Sequence, residues 1–247
     1  RWTVALSGDG GDELLSGYPR LRLMPRIGPL LGLPATIRRL PAPWPARRWA
    51  AKARAALRAG DEMEAYQALQ GVWPAAEVCR LTGRDEVESP WPGDLLRHVE
   101  GLPPWSRWRF LDATTFLPER VLAKVDRAAM AHALEVRVPL LDHRVVAQAM
   151  ALHEFEVRDK SLPRSLLPPG IEVPKKKRGF EIPLSTWLDG PLGGWLDGLP
   201  EACAELGLRP DPLRVALDEQ RAGRHDRGEG LFALHLLTRY ARRWLGA

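Results

Sequence analysis

No residue of this 247-residue sequence is Asn, and Lys (six), Ile (four), Tyr (three) and Met (four) are scarce. Two cysteines, Cys79 and Cys203, cannot build a disulfide scaffold and supply too few thiolates for a Cys-based zinc site. No stretch approaches the ~20 apolar residues of a membrane helix, which excludes a helical span. No secretory leader is visible at the N-terminus, and a reduced cytoplasmic setting is the expectation. Acidic residues are absent from positions 14–60, where ten basic residues run from Arg20 to Arg58. Starting at Arg1-Trp2, without Met, the sequence reads as an N-terminally truncated fragment.

The net charge is +5, with 45% hydrophobic and 27% charged residues, a normal share for a globular core of one large or two small domains. The basic run is the signature of a phosphate footprint, and a basic helical nucleic-acid-binding module over 20–58 is one reading. Against it, thirty of the basic residues are Arg, and Ala, Gly, Pro and Trp are plentiful. A GC-rich coding sequence produces that skew without any function, and the run lacks the interleaved aromatics of a single-strand binder. A solvated helical face is expected instead, and nucleic acid is not an expected partner.

Dense punctuation, 23 Pro and 22 Gly, mostly brackets helices. The pattern predicts helices from Pro45 to Gly60, Asp61 to Gly71, Pro74 to Gly83 and Ser106 to Phe116, then a longer one from Pro118 to about Leu134. Asp142 is placed to cap a helix holding Val145, Val146 and Met150. Further helices are expected at 183–189, 200–206, 211–222 and 230–245. In the last, Leu231, Leu234, Leu237 and Tyr240 or Ala241 face inward. The one firm strand is Trp2 to Leu6, with a shorter extended piece at Glu135 to Pro139. A buried strand needs hydrogen-bonding neighbours on both sides, and the expectation is that most of them lie upstream of this sequence. The fold class is therefore α/β, predominantly helical, with about ten helices.

Straight after the strand comes Ser7-Gly8-Asp9-Gly10-Gly11-Asp12-Glu13. Ligands bind beyond the carboxyl ends of parallel strands, and glycines let the backbone approach them. Three carboxylates would repel a phosphate, unless a hard cation such as Mg²⁺ bridges Asp12 to a pyrophosphate group. Helix caps alone would account for one acid and one glycine. A second stretch, Leu117-Pro118-Glu119-Arg120-Val121-Leu122-Ala123-Lys124-Val125-Asp126-Arg127, leads to Leu134-Glu135-Val136-Arg137-Val138-Pro139-Leu140-Leu141-Asp142. On spacing alone it is an amphipathic helix with a solvated Lys124, Asp126 and Arg127 face. Glu135 and Arg137 share one side of the extended segment, as an ion pair would. The third stretch is Pro174-Lys175-Lys176-Lys177-Arg178-Gly179-Phe180, a basic turn able to stabilise developing negative charge.

In order and approximate spacing these stretches resemble the C-terminal synthetase domain of glutamine-hydrolysing asparagine synthetases. That superfamily also holds β-lactam synthetases and lasso-peptide cyclases. The resemblance runs from Ser7 to about Leu188. It implies the later portion of an adenine nucleotide alpha-hydrolase-like (PP-loop ATPase) parallel-sheet domain spanning 1–247. It also implies a ligase that adenylates aspartate with ATP and lets ammonia displace AMP.

By match to the family motif, Ser7, Gly8, Gly10, Gly11 and Asp12 would bind ATP and pyrophosphate, with Asp12 on Mg²⁺. Asp9 and Lys177 would be catalytic, and Glu13, Asp126, Arg127, Glu135, Arg137 and Asp142 would support the pocket. The family's Ser-Gly-Gly-x-Asp-Ser loop and its glutaminase domain do not occur in this sequence, and both are expected upstream in the same polypeptide. A homodimer is compatible with the resemblance. Lys160-Ser161-Leu162-Pro163-Arg164 is shorter than the family's Lys-bearing helix, and Pro163 is expected to break such a helix.

Overall fold

The computed structural model describes residues 2–34, 36, 48–157, 161–171 and 182–246. Two compact units divide the chain: Arg1–Leu40, Gly60–Met63 and Ser89–Lys175 form the first, and Pro41–Ala59, Glu64–Glu88 and Lys176–Ala247 the second. Helix predominates, with one small parallel sheet, so the class is α/β as the sequence implied.

In the first unit, β1 (Val4–Leu6) pairs in parallel with β2 (Glu135–Arg137), in the register Val4↔Glu135, Ala5↔Val136 and Leu6↔Arg137. The extended piece predicted at Glu135 is thus the partner of the first strand. Among the described residues β1 has this one neighbour. Its side chains are not buried as expected, since Val4 and Leu6 are exposed and only Ala5 is half-covered.

The main support of this unit is helical from residue 104 to 130. An α-helix at Pro104–Leu111 runs through wide, π-type turns at Asp112–Leu122 into an α-helix at Ala123–Met130. Two separate helices were predicted here, with Pro118 opening the second. Pro lacks the N–H that an α-helix needs, and the π-type turns carry the chain past it: Ala123 N–H reaches back five residues to the Pro118 carbonyl. This helix ends at Met130, before Leu134, and Ala133 follows at φ 52°. Asp142 does cap a helix, His143–Ala151, by accepting from Arg144 N–H at 2.9 Å. Pro163 does not prevent a helix at Ser161–Ser165, because in a first turn the missing N–H has no partner to lose.

The basic run is not one solvated face. Arg20 is buried and ion-paired to Asp112 of the long helix, Nη2 to Oδ2 at 2.9 Å. Its guanidinium lies 3.8 Å from the Tyr18 ring centroid and 4.4 Å from that of Phe116. A charge this deep is tolerated because a carboxylate and two ring faces replace its water.

The second unit packs Leu81, Leu188, Leu199, Leu213, Leu217 and Leu231 with Cys203. Each fully buried Leu contributes about 1.5–3 kcal/mol of transfer free energy. Its C-terminal helix, Gly228–Trp244, buries Leu231, Leu234, Thr238 and Ala241, while Leu237 and Tyr240 are exposed. The expected inward face holds at Leu231, Leu234 and Ala241 and fails at Leu237. Thr238 takes the place assigned to Leu237, satisfying its hydroxyl on the His235 carbonyl at 2.9 Å. Arg227 ties this unit together through Glu219 (2.6 Å) and Glu77 (2.7 Å).

Candidate active site

The acidic loop leaves the carboxyl end of β1, and β2 runs out at the same end into a turn at Pro139–Leu141 and the Asp142 cap. Two stretches far apart in sequence are thereby joined. Ser7 N–H donates to the Arg137 carbonyl at 2.9 Å, extending the ladder one step past the strands. Gly10 adopts φ 82°, a left-handed conformation natural to glycine, and a Cβ there would overlap the Leu141 side chain. A Cβ on Gly11 would lie 3.1 Å from Leu140 Cδ1. The glycines therefore let the loop press onto Leu140 and Leu141.

Within the loop, Ser7 Oγ donates to Asp9 Oδ2 at 2.5 Å and accepts from Asp9 N–H at 3.3 Å. Gly10 stands at the N-cap of the short helix Gly11–Leu14, which has no side-chain cap. The cap position itself is thus held by a glycine rather than by Asp9 or Asp12. Both are half-exposed, and Gly8 is open to solvent.

Glu13 is different. It is 1% exposed and accepts from the Tyr18 hydroxyl at 2.7 Å. Burial pushes its carboxyl above the ordinary glutamate range; the Tyr18 bond opposes that shift, and the charges of Asp112 and Asp12 add to it. Tyr18 is itself pushed up by burial and then by Glu13, so the phenol keeps its proton. Glu13 therefore belongs to the floor under the loop rather than to the surface a ligand meets.

The other expected residues fall into three groups. Glu135 and Arg137 form the surface pair, Oε1 to Nε at 2.7 Å, and the bond raises the Arg137 pKa. Asp142 is held by Arg144 as well as by its capping bond, and that partnership lowers its pKa. Asp126 and Arg127 are exposed on the helix Ala123–Met130, with no hydrogen bond or ion pair to the loop among the described residues. Lys177 lies outside the described residues, as does the rest of its basic stretch.

What sequence reasoning missed is the buried polar floor. Arg20, Asp112, Tyr18 and Arg109 all stand next to the loop's helix or the segment it leads into, and all are at least half-buried. Asp112 begins the π-type turns and is 0% exposed. Its partner is 92 positions away, a separation that no local pattern reports.

Among the described residues no group of three or more His, Cys, Asp or Glu side chains is arranged to hold a metal ion. The donors that exist, half-exposed carboxylates on a glycine loop, suit a hard cation that shares its ligands with a phosphate group rather than a cage made by protein alone. Among the described residues no helix is long and apolar enough to cross a membrane.

The sequence pattern of the asparagine synthase family matches residues 1–244. Similar proteins include "Putative asparagine synthetase (glutamine-hydrolyzing)" of Mycobacterium bovis, 28% identical over 94% of this chain and 38% of the relative. "Asparagine synthetase (glutamine-hydrolyzing) 1" of Bacillus subtilis is 24% identical over 94% of this chain and 39% of the relative. The chain thus spans less than two fifths of the length of these curated relatives. No solved structure matches. With the match covering all but the last three residues, the chain belongs to the asparagine synthase family.

Proposed function

We propose that this chain carries the nucleotide side of an ATP-dependent amide synthesis that converts aspartate to asparagine. The aspartate β-carboxylate attacks the α-phosphorus of ATP, and pyrophosphate leaves. Ammonia then attacks the acyl carbon of β-aspartyl-AMP, losing a proton as AMP departs. The carrying observation is the acidic glycine loop at the carboxyl end of a parallel strand, in a chain of this family.

The parts assigned to the residues are those that the family motif implies. Ser7 and Gly8, at the strand's end, contact the nucleotide. Asp9, oriented by the Ser7 hydroxyl, faces the reacting acyl phosphate. Asp12 would hold the Mg²⁺ that accompanies the nucleotide, a group whose chemistry would be to neutralise phosphate charge. Lys177 stabilises charge on the reacting phosphate, a role suited to a flexible point charge. The sheet is of the adenine nucleotide alpha-hydrolase (PP-loop) type. Ammonia comes from glutamine hydrolysed by another domain, and the Ser-Gly-Gly-x-Asp-Ser phosphate loop is supplied by further sequence of the polypeptide.

On this reading the 247-residue chain does not turn over ATP alone. The test compares it with the polypeptide at the length of its relatives, measuring AMP release with ATP, Mg²⁺, aspartate and ammonia. The longer form is expected to release AMP only when aspartate is present, and Asp12→Asn and Lys177→Ala are expected to abolish release. AMP release that ignores aspartate overturns the substrate, and full turnover in Asp12→Asn overturns the site.

A further inference from the structure

We propose that Arg109 is a positioning residue for the acidic loop: its buried guanidinium joins the loop's helix to the helix capped by Asp142, and so sets the distance between the two segments. In its bearing on catalysis this rests on the function proposed above; the clamp itself does not.

Arg109 belongs to the helix Pro104–Leu111, between the acidic loop and the stretch that begins at Leu117, and it is 0% exposed. One nitrogen, Nη2, donates to two carbonyls. The first is that of Leu14, the last residue of the loop's helix, and the second is that of Ala149, at 2.6 Å, in the last turn of His143–Ala151. Carbonyls at helix ends carry partial negative charge, so both favour a cation, that of Ala149 in addition to the bond it accepts from the Leu152 N–H at 3.2 Å. Leu14 is two residues from Asp12, and Ala149 is on the helix that Asp142 starts. The same nitrogen therefore bridges the chain segments bearing the expected ligand-binding and pocket residues.

Packing alone does not explain an arginine here. The guanidinium lies 4.4 Å from the Trp105 ring centroid, yet its Nε and Nη1 find no hydrogen-bond partner among the described residues. Burial lowers its pKa to about 10, which still leaves it charged at neutral pH. A methionine would fill similar volume against Trp105 without a desolvation cost. The two carbonyls it gathers are what a methionine would not supply.

The test is hydrogen exchange, read by mass spectrometry, on the 247-residue chain and its Arg109→Met and Arg109→Lys variants. A lysine ammonium has three donors and can reach both carbonyls, so it should preserve the clamp. Arg109→Met is expected to speed exchange in 7–15 and 143–151 by at least about tenfold, the floor set by losing one charge-assisted hydrogen bond, while 199–244 stays unchanged. Arg109→Lys is expected to stay near wild type. If Arg109→Met does not fold, Arg109→Gln against Arg109→Lys makes the same comparison. Unchanged exchange in 7–15, or equal acceleration everywhere, overturns the clamp.

A second arm uses the polypeptide at its relatives' length. There Arg109→Met should raise KM for MgATP at least about tenfold, with Arg109→Lys restoring it. A clamp visible in exchange but silent in KM overturns the positioning role. A wild-type protein that makes no AMP overturns the proposed function instead, and leaves the exchange result standing.

Discussion

Replacing Asp112 with Asn tests the buried floor most directly. Asp112 is 0% exposed, and its two oxygens each lie 3.2 Å from Arg20 Nε, with Oδ2 at 2.9 Å from Nη2. Asn keeps the shape and one acceptor but removes the negative charge. Arg20 is then a buried cation whose remaining support is the retained oxygen and the pair of rings at 3.8 Å and 4.4 Å. Breaking a buried pair by removing one partner costs about 3–5 kcal/mol, and the retained acceptor and ring contacts argue for the low end, about 3 kcal/mol. Against a total of about 5–15 kcal/mol, that loss is severe. Urea unfolding, with hydrogen exchange at 104–122 to identify the unit that opens, measures it. A double variant, Arg20→Met with Asp112→Leu, should cost clearly less than the sum of the single changes, because it strands no charge. A loss below about 1 kcal/mol in Asp112→Asn, or strict additivity in the double variant, would refute the account of an internally compensated pair.

Glu13 gives a pH signature. Its folded pKa is raised by burial, so the folded chain binds that proton more tightly than the unfolded one. The resulting stability is complete below the ordinary glutamate pKa and is lost as pH rises through the folded value. Glu13→Gln, which imitates the neutral acid, should flatten that decline in a series of urea titrations; an unchanged slope would count against it. Gly10→Ala should cost at least about 2 kcal/mol, from left-handed strain plus the overlap with Leu141, and the same titrations would show it. Ser16 stands at φ 54°, so Ser16→Gly should instead stabilise the chain by about 1 kcal/mol, and a loss of stability there would be contrary to expectation. Cys203 is fully buried with its thiol pushed up to about 11, whereas Cys79 is partly exposed. A thiol reagent at neutral pH should modify one cysteine in the native chain and the second only after unfolding.

How far the sequence foretold all this depended on the range of the interaction. Local signals worked: Pro and Gly brackets placed Ala75–Thr82 and Pro210–Arg221 to within a residue or two, and the Asp142 cap and the Glu135–Arg137 pair were visible in spacings of two. Long-range ones did not. Nothing near Arg20 announces Asp112, and Arg109 looks like any basic residue on a helix until Leu14 and Ala149 are brought to it. The helix break expected at Pro118 does not occur because π-type turns carry the chain past its missing N–H. The inward face of Gly228–Trp244 slipped because a hydrophobicity count prefers Leu237 to Thr238, although geometry selects the threonine. Of the candidate site, the loop and its glycines were legible, and the polar floor that holds them was not.

The pairing of Val4 with Glu135 joins residues about 130 positions apart. Closing so long a loop is entropically costly and is repaid only once the long helix between them has formed. During synthesis, at about 5–20 residues per second, the first strand and its acidic loop wait on the order of ten seconds for their partner to be made. For that interval the edge of the strand that will meet Glu135–Arg137 is open to any other strand. The loop that forms the candidate site is thus translated well before the strand it leans on and settles only when that strand arrives, so mutations that slow this helix should show up as aggregation of nascent chains before they show up in a measured affinity.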